Sequence, residues 1–84
     1  MMIDPALEQA FEHDPKQTVD VILIAHTPTE ALVPEMERCG FEVTSREHEK
    51  YGIFYGRISL DHLPELRQIK EIQSIALDAE QHAF

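Results

Sequence analysis

The run Thr18–Ala25 constrains this chain more than any other segment. It contains Val19, Val21, Ile22, Leu23 and Ile24, mostly β-branched residues that favour extended backbone. Its apolar residues occupy both parities, Val19, Val21 and Leu23 on one and Ile22 and Ile24 on the other. Successive side chains of a strand point to opposite faces, so this strand is apolar on both sides of its sheet. The strand predicted from Ile53 to Ser59 repeats the property, with Ile53 and Tyr55 opposed by Phe54 and Ile58. In a two-layer domain the chain's own helices cover only one of these faces. An exposed apolar patch of that size marks an interaction site. Three covers fit the second face: the N-terminal helix through Leu7 and Phe11, a second copy of the chain, or another protein. Ile22, Ile24 and Phe54 are its candidate residues.

The other elements follow from local signals. Asp4-Pro5 ahead of Leu7, Ala10 and Phe11 predicts a short N-terminal helix, capped by Asp4 with proline at its first position. Residues 13–17 read as a linker. Thr27-Pro28-Thr29-Glu30 has the form of a capping box, followed by Leu32, Val33, Met36 and Cys39 at helical spacing. Pro34 means that this helix either kinks or begins there; Gly40 ends it. Phe41, Val43 and Ser45 alternate with Glu42, Thr44 and Arg46 as a half-buried strand. Residues 47–52 form a polar turn closed by glycine. Leu60, Leu63, Leu66 and Ile69 predict a second helix, capped by Ser59 or Asp61. Ile72, Ile75 and Leu77 form a last strand that stops at Asp78.

The order of elements predicts an α+β domain: a ferredoxin-like β-α-β-β-α-β sandwich with a four-stranded antiparallel sheet and two helices on one face. The expected organisation is an N-terminal helix and linker over residues 1–17, the sandwich over 18–78 and an extended tail over 79–84.

Sixteen acidic against seven basic residues give a net charge of −9. Nucleic-acid binding depends on neutralising phosphates with Lys and Arg, so this balance opposes it, and anionic membrane surfaces likewise. No apolar run is long enough for a membrane helix. Met1-Met2-Ile3-Asp4-Pro5 has no basic region leading into an apolar stretch, so no signal peptide is expected. Cys39 is the sole cysteine, which excludes an intrachain disulfide and fits a reducing, cytoplasmic setting.

The residue patterns give no catalytic or cofactor motif. His13, His26, His48, His62 and His82 include no pair at the i, i+4 spacing of a helical zinc site, so no metal is expected; His26 is the best candidate for a buried role. The cluster of Glu47, His48, Glu49 and Lys50 reads as a solvated hairpin tip. Ser45, Ser59 and Ser74 lack a glycine-flanked elbow, and Gly52 and Gly56 lack the spacing of a nucleotide loop. Gly56, inside a strand, marks a bulge or a close approach of another group. The chain is therefore not expected to be an enzyme or to carry a cofactor.

Residues 63–84 run a short helix into the apolar–x–x–apolar strand Ile72-Gln73-Ser74-Ile75, then Asp78, then a tail ending His82-Ala83-Phe84. This arrangement resembles the C-terminal part of the subtilisin-propeptide-like inhibitor family. The chain departs from that family's pattern at Ala76, Leu77 and Gln81. The resemblance implies an inhibitor, or folding chaperone, of a subtilisin-like serine protease. Its open sheet face would dock on the enzyme, and Gln81, His82, Ala83 and Phe84 would lie in the substrate groove. Read for function, Asp78 and Glu80 would meet helix N-termini on a partner, where positive helix ends attract carboxylates. The alternative is a ferredoxin-like regulatory or assembly module, similar in topology to amino-acid-binding ACT domains, that forms a homodimer through its sheet. The loop His26-Thr27-Pro28-Thr29 lacks the glycine that an ACT-like ligand site favours.

Overall fold

The strand at Thr18–Ala25 lies in the middle of a five-stranded sheet, flanked on both sides by paired neighbours. The computed structural model describes residues 1–26 and 29–78. Along the chain these form β1 (Met2–Ile3), α1 (Pro5–His13), β2 (Thr18–Ala25), α2 (Leu32–Arg38), β3 (Glu42–Ser45), β4 (Ile53–Ser59), α3 (Leu63–Leu66) and β5 (Ile72–Leu77). Single turns of 3₁₀ helix occupy Glu49–Tyr51 and Leu60–His62. The strand order is β1-β5-β2-β4-β3. Both neighbours of β2 run antiparallel to it, and β3 runs antiparallel to β4.

The α+β class is as expected, but the sheet is not a four-stranded antiparallel one. Met2 and Ile3 pair in parallel with Ser74 and Ile75, which makes the sheet five-stranded and mixed. Two residues carry no readable period, so the sequence gives no sign of this strand. The N-terminal segment is thereby joined to the rest, for α1 sends Leu7 fully buried into the common core.

Local chemistry accounts for the helices. Asp4 caps α1, its carboxylate accepting from the Ala6 N–H at 3.2 Å, with Pro5 in the first turn. Helix α2 starts at Leu32, so Pro34 falls in its first turn, where a missing N–H costs no intrahelical bond. Its end is a Schellman motif. Gly40 takes φ 90°, Phe41 N–H donates to Met36 O at 3.0 Å, and Gly40 N–H donates to Glu37 O at 3.0 Å.

The second predicted helix is much shorter than expected. Leu60, Leu63, Leu66 and Ile69 are all buried, yet only Leu63–Leu66 is α-helical. A spacing of three is the period of 3₁₀ helix, which the chain adopts at Leu60–His62. Neither Ser59 nor Asp61 caps α3; instead the Ser59 hydroxyl donates to Asp61 Oδ1 at 2.6 Å.

The core lies between one sheet face and the helices. Val21, Leu23, Phe54, Ile58, Ile72 and Ile75 from the sheet meet Leu7, Leu32, Met36, Leu63 and Leu66 from the helices.

Candidate docking surface

Strand pairing decides which parity of β2 faces the helices. Leu23 pairs with Phe54 and Ile75, and Val21 with Gly56 and Leu77. These residues lie on the covered side, where Val21, Leu23 and Phe54 are fully buried. Phe54 is therefore a core residue and not part of the second face. Antiparallel pairing puts it opposite Leu23, out of step with Ile22 and Ile24.

The second face is made of three rows across the strands. The first holds Asp78, Asp20, Arg57 and Glu42; the second holds Ala76, Ile22, Tyr55 and Ser45; the third holds Ser74, Ile24 and Ile53, with Met2 beyond Ser74. Ser45 joins this face, against the simple alternation with Val43, because the β3–β4 register shifts between Val43 and Ser45. Met2 is 74% exposed and Ile24 36%, while Ile22, Ile53 and Tyr55 are partly buried.

The N-terminal helix does not cover these rows. Leu7 packs in the core on the opposite side, with Ala10 and Phe11 partly buried against that same core. Among the described residues, all three helices bury their apolar side chains there, and the second face stays open.

Charge is confined to one edge of this open face. The chain has 23 charged residues (16 acidic and 7 basic), yet the two apolar rows contain none. Arg57 Nε donates to Asp20 Oδ1 at 3.2 Å across the strand pair, with Glu42 on Arg57's other side. An exposed pair like this contributes little to stability. A charge-free apolar centre with a charged margin is nonetheless the anatomy of a protein interface. At another margin the His48 ring sits 6.1 Å from that of Tyr55.

Asp78 is 8% exposed, and its N–H donates to Asp20 O at 2.9 Å, which continues the β5–β2 ladder by one residue. Glu80 and the tail positions Gln81, His82, Ala83 and Phe84 lie outside the described residues. A groove of about 280 Å³ opens where β5 ends, between Ala10, Gln17, Val19, Leu77 and Asp78.

The remaining polar clusters do not converge. Among the described residues no three His, Cys, Asp or Glu side chains are placed to share a metal ion. His26 is exposed rather than buried, with its backbone N–H donating to Glu71 O at 2.8 Å. At the hairpin tip Arg46 grips Glu49 through two hydrogen bonds, which hold the Glu49 carboxyl below the usual range. Burial pushes the Cys39 thiol up, and the carboxylates of Glu65 and Glu35 push it further against the opposing Arg38. A groove of about 310 Å³ between α1 and α3 is lined by Ile3, Phe11, Leu63, Pro64, Glu8 and Arg67, with no nucleophile or histidine in its wall. Among the described residues no helix is long and apolar enough to cross a membrane.

Comparison with protein-family models, with curated proteins and with solved structures gave no match.

Proposed function

We propose that this chain is a docking protein that works through the open face of its sheet, as a stand-alone inhibitor or folding chaperone of a subtilisin-like serine protease. The observation that carries this reading is the pair of charge-free rows centred on Ile22, Ile24, Ile53 and Tyr55, uncovered by any described element of the chain. In a chain of net charge −9, such a surface calls for a protein partner rather than a nucleic acid or an anionic membrane. The second support is the resemblance of residues 63–84 to propeptide-like inhibitors, in which the sheet packs on the enzyme and the tail adds as a strand in its groove. Residues 81–84 would occupy that groove, and Asp78 and Glu80 would meet helix N-termini of the partner. The mode needs no catalytic residue or cofactor of the chain's own. The lone Cys39 fits a cytoplasmic target.

We also read strands β2 to β5 with α2 and α3 as a ferredoxin-like unit to which β1 and α1 are additions; the antiparallel pairing of each neighbouring pair among these four strands supports it.

The test is inhibition of a panel of serine proteases by the intact chain, with Ile22→Asp as a folded control. Inhibition of a subtilisin-like enzyme that Ile22→Asp abolishes would support the reading. A panel in which no such enzyme responds would overturn it. A second reading is an assembly module in which a second copy of the chain covers these apolar rows.

A further inference from the structure

We infer that the groove between α1 and α3 is a second binding site, which takes the carboxyl-terminal end of another polypeptide. A large apolar last residue lies on its floor, the carboxylate of that residue meets Arg67, and a Lys or Arg just upstream faces Glu8 and Glu12. The groove lies on the helix side of the domain, where its apolar lining packs against the core. It is separate from the open sheet face, so the inference does not depend on the docking reading.

The floor is apolar and only half covered. Leu63 is buried, but Ile3 and Phe11 are partly buried and Pro64 is exposed. Phe11 stands one turn after the fully buried Leu7, so it continues the apolar face of α1 beyond what the core covers. The space is about 310 Å³, near the small end of ligand pockets, which suits one side chain with a few flanking atoms rather than a helix.

The walls carry charge that the fold does not use. Glu8 and Glu12 line the groove from α1, and Arg67 lines it from the end of α3. All three are exposed, and among the described residues none is held in an ion pair. Glu12 opposes its own helix twice. It stands four residues from Glu8, a spacing at which like charges repel, and in the last turn, where the negative helix end repels a carboxylate. A cation bound beside Glu8 and Glu12 relieves both effects. The complement of Arg67 is a carboxylate, which a guanidinium holds through two parallel hydrogen bonds. Packed helices stand about 8–10 Å apart, so a free amino acid, with ammonium and carboxylate on one carbon, does not span the two walls. A chain end with a basic residue before the last one does.

Peptide titration of the isotope-labelled full chain, followed by backbone amide chemical shifts, tests the inference. The probe is N-acetyl-Lys-Leu with a free carboxylate. Shifts should cluster at Ile3, Glu8, Phe11, Glu12, Leu63 and Arg67 and saturate with a dissociation constant on the order of 1 mM, as suits so small a ligand. Replacing the carboxylate by an amide, or Lys by Gln, should weaken binding about twofold to fivefold, the scale of exposed ion pairs. Replacing Leu by Gly should weaken it at least about fivefold, since the apolar floor is then empty. The protein variants pair with these probes. Glu8→Gln with Glu12→Gln should weaken N-acetyl-Lys-Leu but not N-acetyl-Gln-Leu, and Arg67→Gln should weaken the acid but not its amide. Glu47→Gln, at the hairpin tip, removes one charge elsewhere and should leave the affinity unchanged. Absence of shifts at the groove at about 10 mM probe, tenfold above the expected constant, would overturn the inference. So would losses that ignore this pairing of probe and variant, or an equal loss in Glu47→Gln, which would assign the effect to net charge. Inhibition of a subtilisin-like protease by a chain whose groove binds no probe would leave the docking reading standing alone.

Discussion

Gly56 lies against the far edge of the Phe41 ring. A methyl group at Gly56 would overlap that ring and sit 2.5 Å from the Glu42 carbonyl oxygen. The Phe41 ring, just before β3, can lie against β4 at this point because β4 has no side chain there, and the register of β3 shifts in the next residues. Gly56→Ala should destabilise the domain by about 1–3 kcal/mol, the usual cost of overpacking. Chemical denaturation would show it as a lower midpoint with an unchanged slope. Phe41→Leu in the same chain should recover only part of the loss, because the Glu42 carbonyl belongs to the backbone and cannot turn aside.

The two parities of β2 should respond oppositely to a carboxylate. Val21→Asp places an unpaired charge in the core and should cost more than about 4 kcal/mol, enough to unfold a small domain. Ile22→Asp, one residue along, lies on the open face and should cost at most about 1 kcal/mol while abolishing association and docking. Urea titrations of the two variants side by side check the contrast. Equal losses of stability would mean that something in the chain covers both faces.

How much of this was legible in the residues can be traced along β2 and β4. The strand Thr18–Ala25 was readable to its ends, because β-branched residues fill it and no competing period exists. The choice of covered face was harder, since both parities are apolar. A signal was nevertheless present: Asp20 shares parity with Ile22 and Ile24, and Arg57 shares parity with Ile53 and Tyr55. A charged residue on each strand marks the open side, and using both would have put Phe54 in the core. The length of α3 was not legible, because residues spaced three apart suit an α-helix and a 3₁₀ turn equally. Strand β1 gives no signal at all. Its pairing with β5 exists because α1 packs Leu7 into the core and so brings the N-terminus to that edge, a tertiary effect that no local pattern encodes.

Cys39 should be a slow thiol. It is partly buried, its Sγ lies 3.9 Å from the Glu65 carbonyl oxygen, and burial with the charges of Glu65 and Glu35 raises its pKa. The thiolate is the reactive form, so the rise in alkylation rate with pH should begin later than for a cysteine in an unfolded peptide. Glu65→Gln removes one of the two carboxylates and should move the profile back toward lower pH. A rate profile that matches the unfolded peptide would show that the fold does not perturb this thiol.

Removal of residues 79–84 separates fold from function most directly. Among the described residues the core is complete before Asp78, and the Asp78 N–H closes the β5–β2 ladder on Asp20. The shortened chain should therefore unfold within about 1 kcal/mol of the full one, as changes away from a core usually do. Under the proposed inhibitory mode the same deletion should weaken inhibition at least about a hundredfold, a loss of some 3 kcal/mol or more of binding. The sheet face would remain, but strand addition in the substrate groove would be lost. Phe84→Asp in the full chain should do much of the same damage, since a carboxylate would enter a site suited to an aromatic ring. Inhibition constants of the three chains against one responsive protease decide the point. Equal inhibition by the full and shortened chains would assign all the binding to the sheet face and remove the tail from the mechanism.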